Sequence, residues 1–228
     1  MLSEVKKFYD ENCFPGNYTI EQFNSYGKPI KNKYLQLIDN QIVDGMTILD
    51  AGCGTGLIPN LLALRNKKSN VIGLDFSNAI FYAQDFAKSN NIANVKFIHQ
   101  DLVAYQPDRK FDIIICQGVL HHIPEYQIVL KKLLDSIDYN GKMILGLYHP
   151  LGRIMKKFVS INYNSDLLYK DQELNPYVIT FTYNQLKAIT PGWEITEYVP
   201  KFVNSVGAAA FFNYRNGGLV TYILERKK

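Results

Sequence analysis

Only three cysteines occur in the 228 residues, and Cys13, Cys53 and Cys116 stand too far apart for a C-x-x-C pair or a zinc spacing. Such usage implies a reducing compartment and no structural metal. No run approaches the roughly 18 apolar residues of a membrane span, and the opening MLSEVKKFYDEN has no signal-peptide core. The expectation is a cytoplasmic protein without a membrane span. Long blocks of one charge are also missing: 25 basic against 21 acidic residues give +4, with lysine pairs scattered along the chain. These pairs read as solvated faces and ends, and no nucleic-acid partner is expected from so mild a balance. There is neither an internal repeat nor a low-complexity segment. With 47% hydrophobic and 20% charged residues, the composition is that of a folded globular domain.

What is present is a rhythm. From about residue 30, apolar runs of strand length alternate with stretches of helical period, the pattern of a parallel sheet covered on both faces. Strands are expected at Thr47–Ala51, Asn70–Asp75, Val95–His99, Phe111–Gln117 and Lys142–Tyr148. Helices are expected at about 30–43, 57–66, 78–90 and 125–138, the last closed by Tyr139-Asn140-Gly141 as C-cap and turn. After Tyr148 the rhythm breaks. Residues 150–182 are irregular and aromatic, Thr182 to Gln185 can cap a short helix, and Trp193–Val199 and Gly218–Arg226 read as two late strands. Length allows one domain over 1–228, with appended segments.

The strongest local signal is Asp50-Ala51-Gly52-Cys53-Gly54-Thr55-Gly56, placed where the first strand hands over to a helix. Glycines at such a turn let backbone approach a ligand, and the helix start offers unpaired N–H groups. A dinucleotide site of the form G-x-G-x-x-G would need glycine at position 57, where Leu57 stands. Asp50, two residues before the first glycine, would repel a pyrophosphate but can face an ammonium group.

This segment resembles the first motif of the class I S-adenosylmethionine-dependent methyltransferases. Three companions follow in the family's order: Val71 to Ser77 with Asp75 at a strand end, Ile98 to Leu102 with Asp101, and Phe111 to Ile123, which is similar to the family's fourth-strand segment. The resemblance spans roughly residues 45–150. It implies a Rossmann-like α/β fold, a mostly parallel seven-stranded sheet with helices on both faces and an antiparallel last strand. It further implies S-adenosylmethionine as cofactor and S-adenosylhomocysteine as product. The cofactor residues would be Asp50, Gly52, Cys53, Gly54 and Gly56 at the turn, Asp75, Phe76 and Ser77 at the ribose, Asp101 and Leu102 at the adenine edge, and Gln117.

Transfer from a sulfonium is an in-line displacement that needs alignment, water exclusion and a place for a proton, but neither metal nor covalent intermediate. Ligands of open α/β sheets sit beyond the carboxyl ends of the strands, which puts Gln117–His122 and Tyr148-His149-Pro150 around the acceptor. His121, His122 and His149 are the candidate bases; the alternative for the pair is packing or bonding to backbone. Cys116 follows Ile115 in a buried strand, not a proline, and reads as core or pocket wall, unlike the nucleophile of RNA cytosine-C5 enzymes. The segment after Ile115 also lacks the (N/D)-P-P-(Y/F/W) sequence of amino methyltransferases acting on adenine.

Residues 1–29 carry eight aromatic, proline or glycine residues from Phe8 to Tyr26 and read as a lid-like segment or as packing on the sheet edge. Residues 30–149 form the expected cofactor core. Residues 150–182, with Phe158, Tyr163, Tyr169, Tyr177 and Phe181, read as a cap over an apolar or aromatic acceptor, or as an interface. Residues 183–228 complete the sheet. The function expected is methyl transfer to O, N or C of a small molecule. The alternatives are a nucleic-acid or protein methyltransferase and a noncatalytic cofactor-binding module. Oligomeric state stays open, a homodimer among the options.

Overall fold

Residues 2–26, 33–152, 154, 174–199 and 218–227 are described in the computed structural model. The expected cap residues Phe158, Tyr163 and Tyr169 lie outside the described residues, as do 27–32 at the start of the first expected core helix.

Continuous apolar runs become strands here because both of their faces are covered. In β1 (Thr47–Ala51), β4 (Phe111–Gln117), β5 (Ile137–Tyr148) and β7 (Leu219–Arg226), neighbouring residues point to opposite sides of the sheet. Ile48, Ile113, Ile144 and Ile223 enter one core with Leu35 and Ile38 of α3 (Lys33–Asp39) and Leu61 and Leu62 of α4 (Leu57–Arg65). Leu49, Ile114, Leu145 and Leu224 enter the other with Val129 and Leu133 of α6 (Tyr126–Asp135) and Leu186 of α7 (Tyr183–Ile189). Each such buried Leu or Ile contributes about 1.5–3 kcal/mol relative to exposure.

With β2 (Asn70–Asp75), β3 (Val95–His99) and β6 (Trp193–Val199), the seven strands order β3-β2-β1-β4-β5-β7-β6. The pairings from β3 through β5 are parallel, while β7 runs antiparallel to both β5 and β6. The chain therefore switches direction of progress between β1 and β4. The carboxyl ends of those two strands open a crevice, where ligands of such sheets bind. Helix α5 (Ala79–Ser89) follows β2.

One expectation needs correction, and one region holds helices that the sequence reading did not address. Helix α6 stops at Asp135, not near 138, because the Ser136 hydroxyl bonds back to the Leu133 carbonyl and Ile137 already pairs with Phe111. Tyr139-Asn140-Gly141 consequently lies inside β5 rather than in a turn. Five residue steps from Ile137 to Lys142 there face two steps from Phe111 to Ile113, which makes a bulge. Gly141 suits that bulge, since a Cβ on it would come within 2.8 Å of the Phe111 and Asp112 carbonyl oxygens. Secondly, residues 1–29 contain two helices that apolar periodicity did not reveal, α1 (Leu2–Glu11) and α2 (Ile20–Tyr26). The helix expected at Thr182 does form, with Thr182 and Gln185 in a capping box.

Candidate functional site

The turn after β1 is shaped by three glycines with positive φ: 87° at Gly52, 52° at Gly54 and 75° at Gly56. Space forbids side chains there as firmly as conformation does. A Cβ on Gly52 would stand 2.3 Å from Val119, on Gly54 2.0 Å from the Phe14 carbonyl oxygen, and on Gly56 2.4 Å from Ala83. The Gly52 and Cys53 amides both donate to the Leu74 carbonyl, at 2.7 and 3.0 Å. Asp75, at the end of β2, then ties two loops together: its Oδ2 accepts from the Gly54 amide (2.7 Å) and its Oδ1 from the Ser77 amide (2.8 Å) and hydroxyl (2.7 Å).

The electrostatics are lopsided. Asp50 and Asp75 are 4% and 8% exposed. Burial first, and Asp75 second, push the Asp50 carboxyl up to about 8. Burial also raises Asp75, against the lowering pull of its bonds to Ser77 and Gly54. Both line a cavity of about 210 Å³ whose described lining contains neither lysine nor arginine. A buried carboxylate without a cation is costly, so the site is poised for a positively charged ligand.

Of the residues the sequence singles out, Asp50, Gly52, Cys53, Gly54, Asp75, Phe76, Ser77, Asp101, Leu102, Gln117 and His122 line this one cavity. Gly56 is not part of the lining; it precedes α4 as its N-cap. Asp101 sits in the turn after β3, its Oδ1 accepting from the Val103 amide at 2.8 Å. The Gln117 side chain is held by the Thr221 hydroxyl of β7, at 2.9 and 3.1 Å, in space that the missing side chain of Gly146 leaves open.

The histidines separate clearly. His121 and His149 are absent from the lining. His121 is fully buried, its ring 4.0 Å from that of Tyr148, and its Nδ1 accepts from the Tyr148 amide at 3.4 Å. His149 Nδ1 accepts from the Leu151 amide at 3.2 Å, and burial holds its pKa below the usual imidazole value. His122 does reach the cavity, between the rings of Tyr9 and Tyr148 at 5.9 and 6.0 Å. Its Nδ1 lies 2.9 Å from the Tyr177 carbonyl. A carbonyl only accepts, so Nδ1 carries the proton and Nε2 is the ring's basic nitrogen. Burial pushes the thiols of Cys53 and Cys116 up, with Asp75 and then Asp50 adding at Cys53 and Asp50 adding at Cys116. Neither is a thiolate nucleophile at neutral pH. Cys116 belongs to the core, outside the cavity lining.

The N-terminal segment is anchored on the glycine turn. The Phe14 carbonyl accepts from the Thr55 amide (3.0 Å), the Thr55 hydroxyl donates to the Gly16 carbonyl (3.1 Å), and the Tyr18 hydroxyl donates to the Thr55 carbonyl (3.0 Å). Asp10 of α1 accepts from the Asn78 amide at 2.7 Å, capping the start of α5 from a distance. Val5, Tyr9, Phe14, Pro15 and Tyr26 thereby form one wall. Sequence reasoning missed Tyr34 of α3, which lines the same cavity as Asp50 and whose phenol is raised well above its ordinary value by burial and then by Asp50. Nothing local marks it: a tyrosine on an amphipathic helix reads as core.

Residues 42–197 match a protein family described as a methyltransferase domain. Over 131 residues the chain is 29% identical to (S)-coclaurine N-methyltransferase of Papaver somniferum, a match covering 57% of this chain and 37% of that protein. Over 118 residues it is 33% identical to the ubiquinone biosynthesis O-methyltransferase of Coxiella burnetii, covering 50% of this chain and 48% of that one. The matches span less than half the length of either relative. Among solved structures, magnesium protoporphyrin IX methyltransferase from Synechocystis, crystallised with bound S-adenosylhomocysteine, superposes with a TM-score of 0.66 at 19% identity, covering 100% of both chains. At that identity the likeness carries the fold.

Proposed function

Because the chain belongs to the methyltransferase-domain family, we propose that it transfers a methyl group from S-adenosylmethionine to an O, N or C atom of a small-molecule acceptor, releasing S-adenosylhomocysteine. The observation that carries this reading is the pair of buried carboxylates, Asp50 and Asp75, on a cavity whose described lining holds no cationic side chain. A ligand bearing an ammonium and a sulfonium supplies the missing charge. A dinucleotide would bring phosphates to the same place, which Asp50 disfavours.

The residues divide by what they can bind. Asp50 with Gly52, Cys53 and Gly54 take the amino-acid end, Asp75 with Phe76 and Ser77 the ribose, and Asp101 with Leu102 the adenine, with Gln117 at the end of the neighbouring strand β4. The cofactor, when bound, would supply a methyl group already activated as a sulfonium substituent. The chain's own work is alignment and exclusion of water. His122 Nε2 receives the proton an acceptor hydroxyl or amine must lose, and the Tyr177 carbonyl holds the ring for that task. His121 and His149, bonded to backbone away from the cavity, pack instead.

Names of the relatives support the acceptor class: one methylates nitrogen, the other oxygen, and both bear small-molecule names. An aromatic wall from Tyr9, Phe14, Tyr26 and Tyr148 suits a flat apolar acceptor. Residues 2–26 are then a lid and the site a cytoplasmic one; among the described residues no helix is long and apolar enough to cross a membrane. Incubation with methyl-labelled S-adenosylmethionine and a metabolite extract tests the proposal. A labelled small molecule detected by mass spectrometry supports it, whereas label found only on protein or RNA contradicts the acceptor class.

A further inference from the structure

Lys132 lies on α6, outside the cavity lining, yet its ammonium is fully committed to the loop that lines it. Its Nζ donates to the carbonyls of Leu102 (3.1 Å), Val103 (2.7 Å) and Tyr105 (2.9 Å). An ammonium has three N–H groups, and three carbonyls receive them. The need for them follows from the local chain. Asp101 starts a single turn, its carbonyl accepting from the Ala104 and Tyr105 amides and its Oδ1 from the Val103 amide. Gln106-Pro107 follows, and proline has no N–H with which to extend the turn. Carbonyls 102, 103 and 105 are left as the orphan acceptors of a helix end, and Lys132 reaches across from α6 to satisfy them.

We propose that Lys132 is a positioning residue for the nucleobase end of the cofactor site. By clamping the 101–105 turn it sets where the Asp101 carboxylate and the Leu102 backbone meet the base. The coupling is short. The Val103 amide that orients Asp101 Oδ1 belongs to the same residue whose carbonyl makes the 2.7 Å bond to Nζ. Without the ammonium, three carbonyls turn towards water, the turn gains freedom, and the carboxylate loses its fixed aim. This inference rests on the reading of Asp101 and Leu102 as the adenine contacts.

The experiment compares two ligands on the full chain by calorimetry: S-adenosylhomocysteine, whose 6-amino group can donate to Asp101, and S-inosylhomocysteine, whose 6-oxo group cannot. Lys132→Met keeps the aliphatic stem and removes the donors. It is expected to weaken S-adenosylhomocysteine by about tenfold, the scale of a hydrogen bond to a charged group, while S-inosylhomocysteine changes far less, so that discrimination between the two collapses. Lys132→Arg, which keeps charge and donors, restores most of the discrimination, and Lys132→Gln, with two donors, falls between. A merely structural lysine would weaken both ligands alike, and that result overturns the proposal, as does discrimination unchanged in all three variants. Asp101→Ala separates the premise from the inference. If it leaves discrimination intact, the adenine reading itself is wrong; if it abolishes discrimination while Lys132→Met does not, only the role of Lys132 is.

Discussion

The two ends of the cavity are built by different means. At the proposed cofactor end, strand termini and backbone dominate: three glycines that admit no Cβ, an aspartate bridging two loops, and a turn clamped by a lysine. At the proposed acceptor end, side chains from distant segments converge, with Tyr9 from α1, His122 from the turn after β4 and Tyr148 from β5. The first end is fixed largely by backbone, through glycine conformations and hydrogen bonds to main-chain amides and carbonyls. The second depends on side chains that only the folded chain brings together. One scaffold can thus keep its cofactor while its acceptor varies.

Breaking each end should give opposite signatures. The largest effect is expected at His122. Its replacement by alanine should lower methyl transfer by about 10²–10⁴-fold, the range for loss of a positioned base, with S-adenosylhomocysteine affinity little changed. Rates with an identified acceptor, set beside calorimetry, check this; a parallel loss of both would place His122 at the cofactor end instead. Gly54→Ala should do the reverse. A left-handed backbone costs a non-glycine residue roughly 1–2 kcal/mol, and the new Cβ would stand 2.0 Å from the Phe14 carbonyl. Cofactor affinity should fall by about 100-fold as the N-terminal segment is pushed off; unaltered binding would show that this segment is no part of the site.

Asp75→Ala is expected to cost about 1.5–3 kcal/mol of cofactor binding, as for hydrogen bonds to a charged group. Because Asp75 also holds the Gly54 amide and Ser77, Asp75→Asn should be the milder change. A dissociation constant indifferent to both would mean that the carboxylate only braces its loops.

The smallest effect sharpens the comparison through pH. Asp50 is raised to about 8 by burial and then by Asp75, above its ordinary 3.8. In the free protein its contribution to stability is therefore fully present below the ordinary value and is lost as pH rises through about 8. A cationic ligand favours the carboxylate, so binding at pH 7 should release up to about 0.9 proton, and affinity should climb towards pH 8 and then level. Calorimetry in buffers of different ionisation enthalpy measures the proton. No release, or affinity falling over this range, would remove Asp50 from the ammonium site.

Legibility in the sequence followed the same division. Strands β1 to β4 are found at the bounds their apolar runs indicate, and Asp50, Gly52, Cys53, Gly54, Asp75 and Asp101 meet on one cavity. Periodicity and glycine spacing report local backbone, which is what shapes that end. The first half of β5 escaped because Tyr139-Asn140-Gly141 has turn chemistry and is used for a bulge. Helices α1 and α2 escaped because their anchors lie far along the chain: Asp10 of α1 accepts from the Asn78 amide, and Phe23 of α2 packs on Phe86 of α5. The choice among His121, His122 and His149 required three dimensions, since sequence cannot say which ring faces a cavity and which a backbone amide.

The central claim is that this cavity takes an adenosyl sulfonium cofactor. Calorimetric titration of the full chain with S-adenosylmethionine, S-adenosylhomocysteine and NADH tests it most directly. Saturable binding of both adenosyl ligands, weakened by Asp75→Ala, with no heat from NADH, is the result expected; micromolar binding of NADH with none from either adenosyl ligand would contradict it.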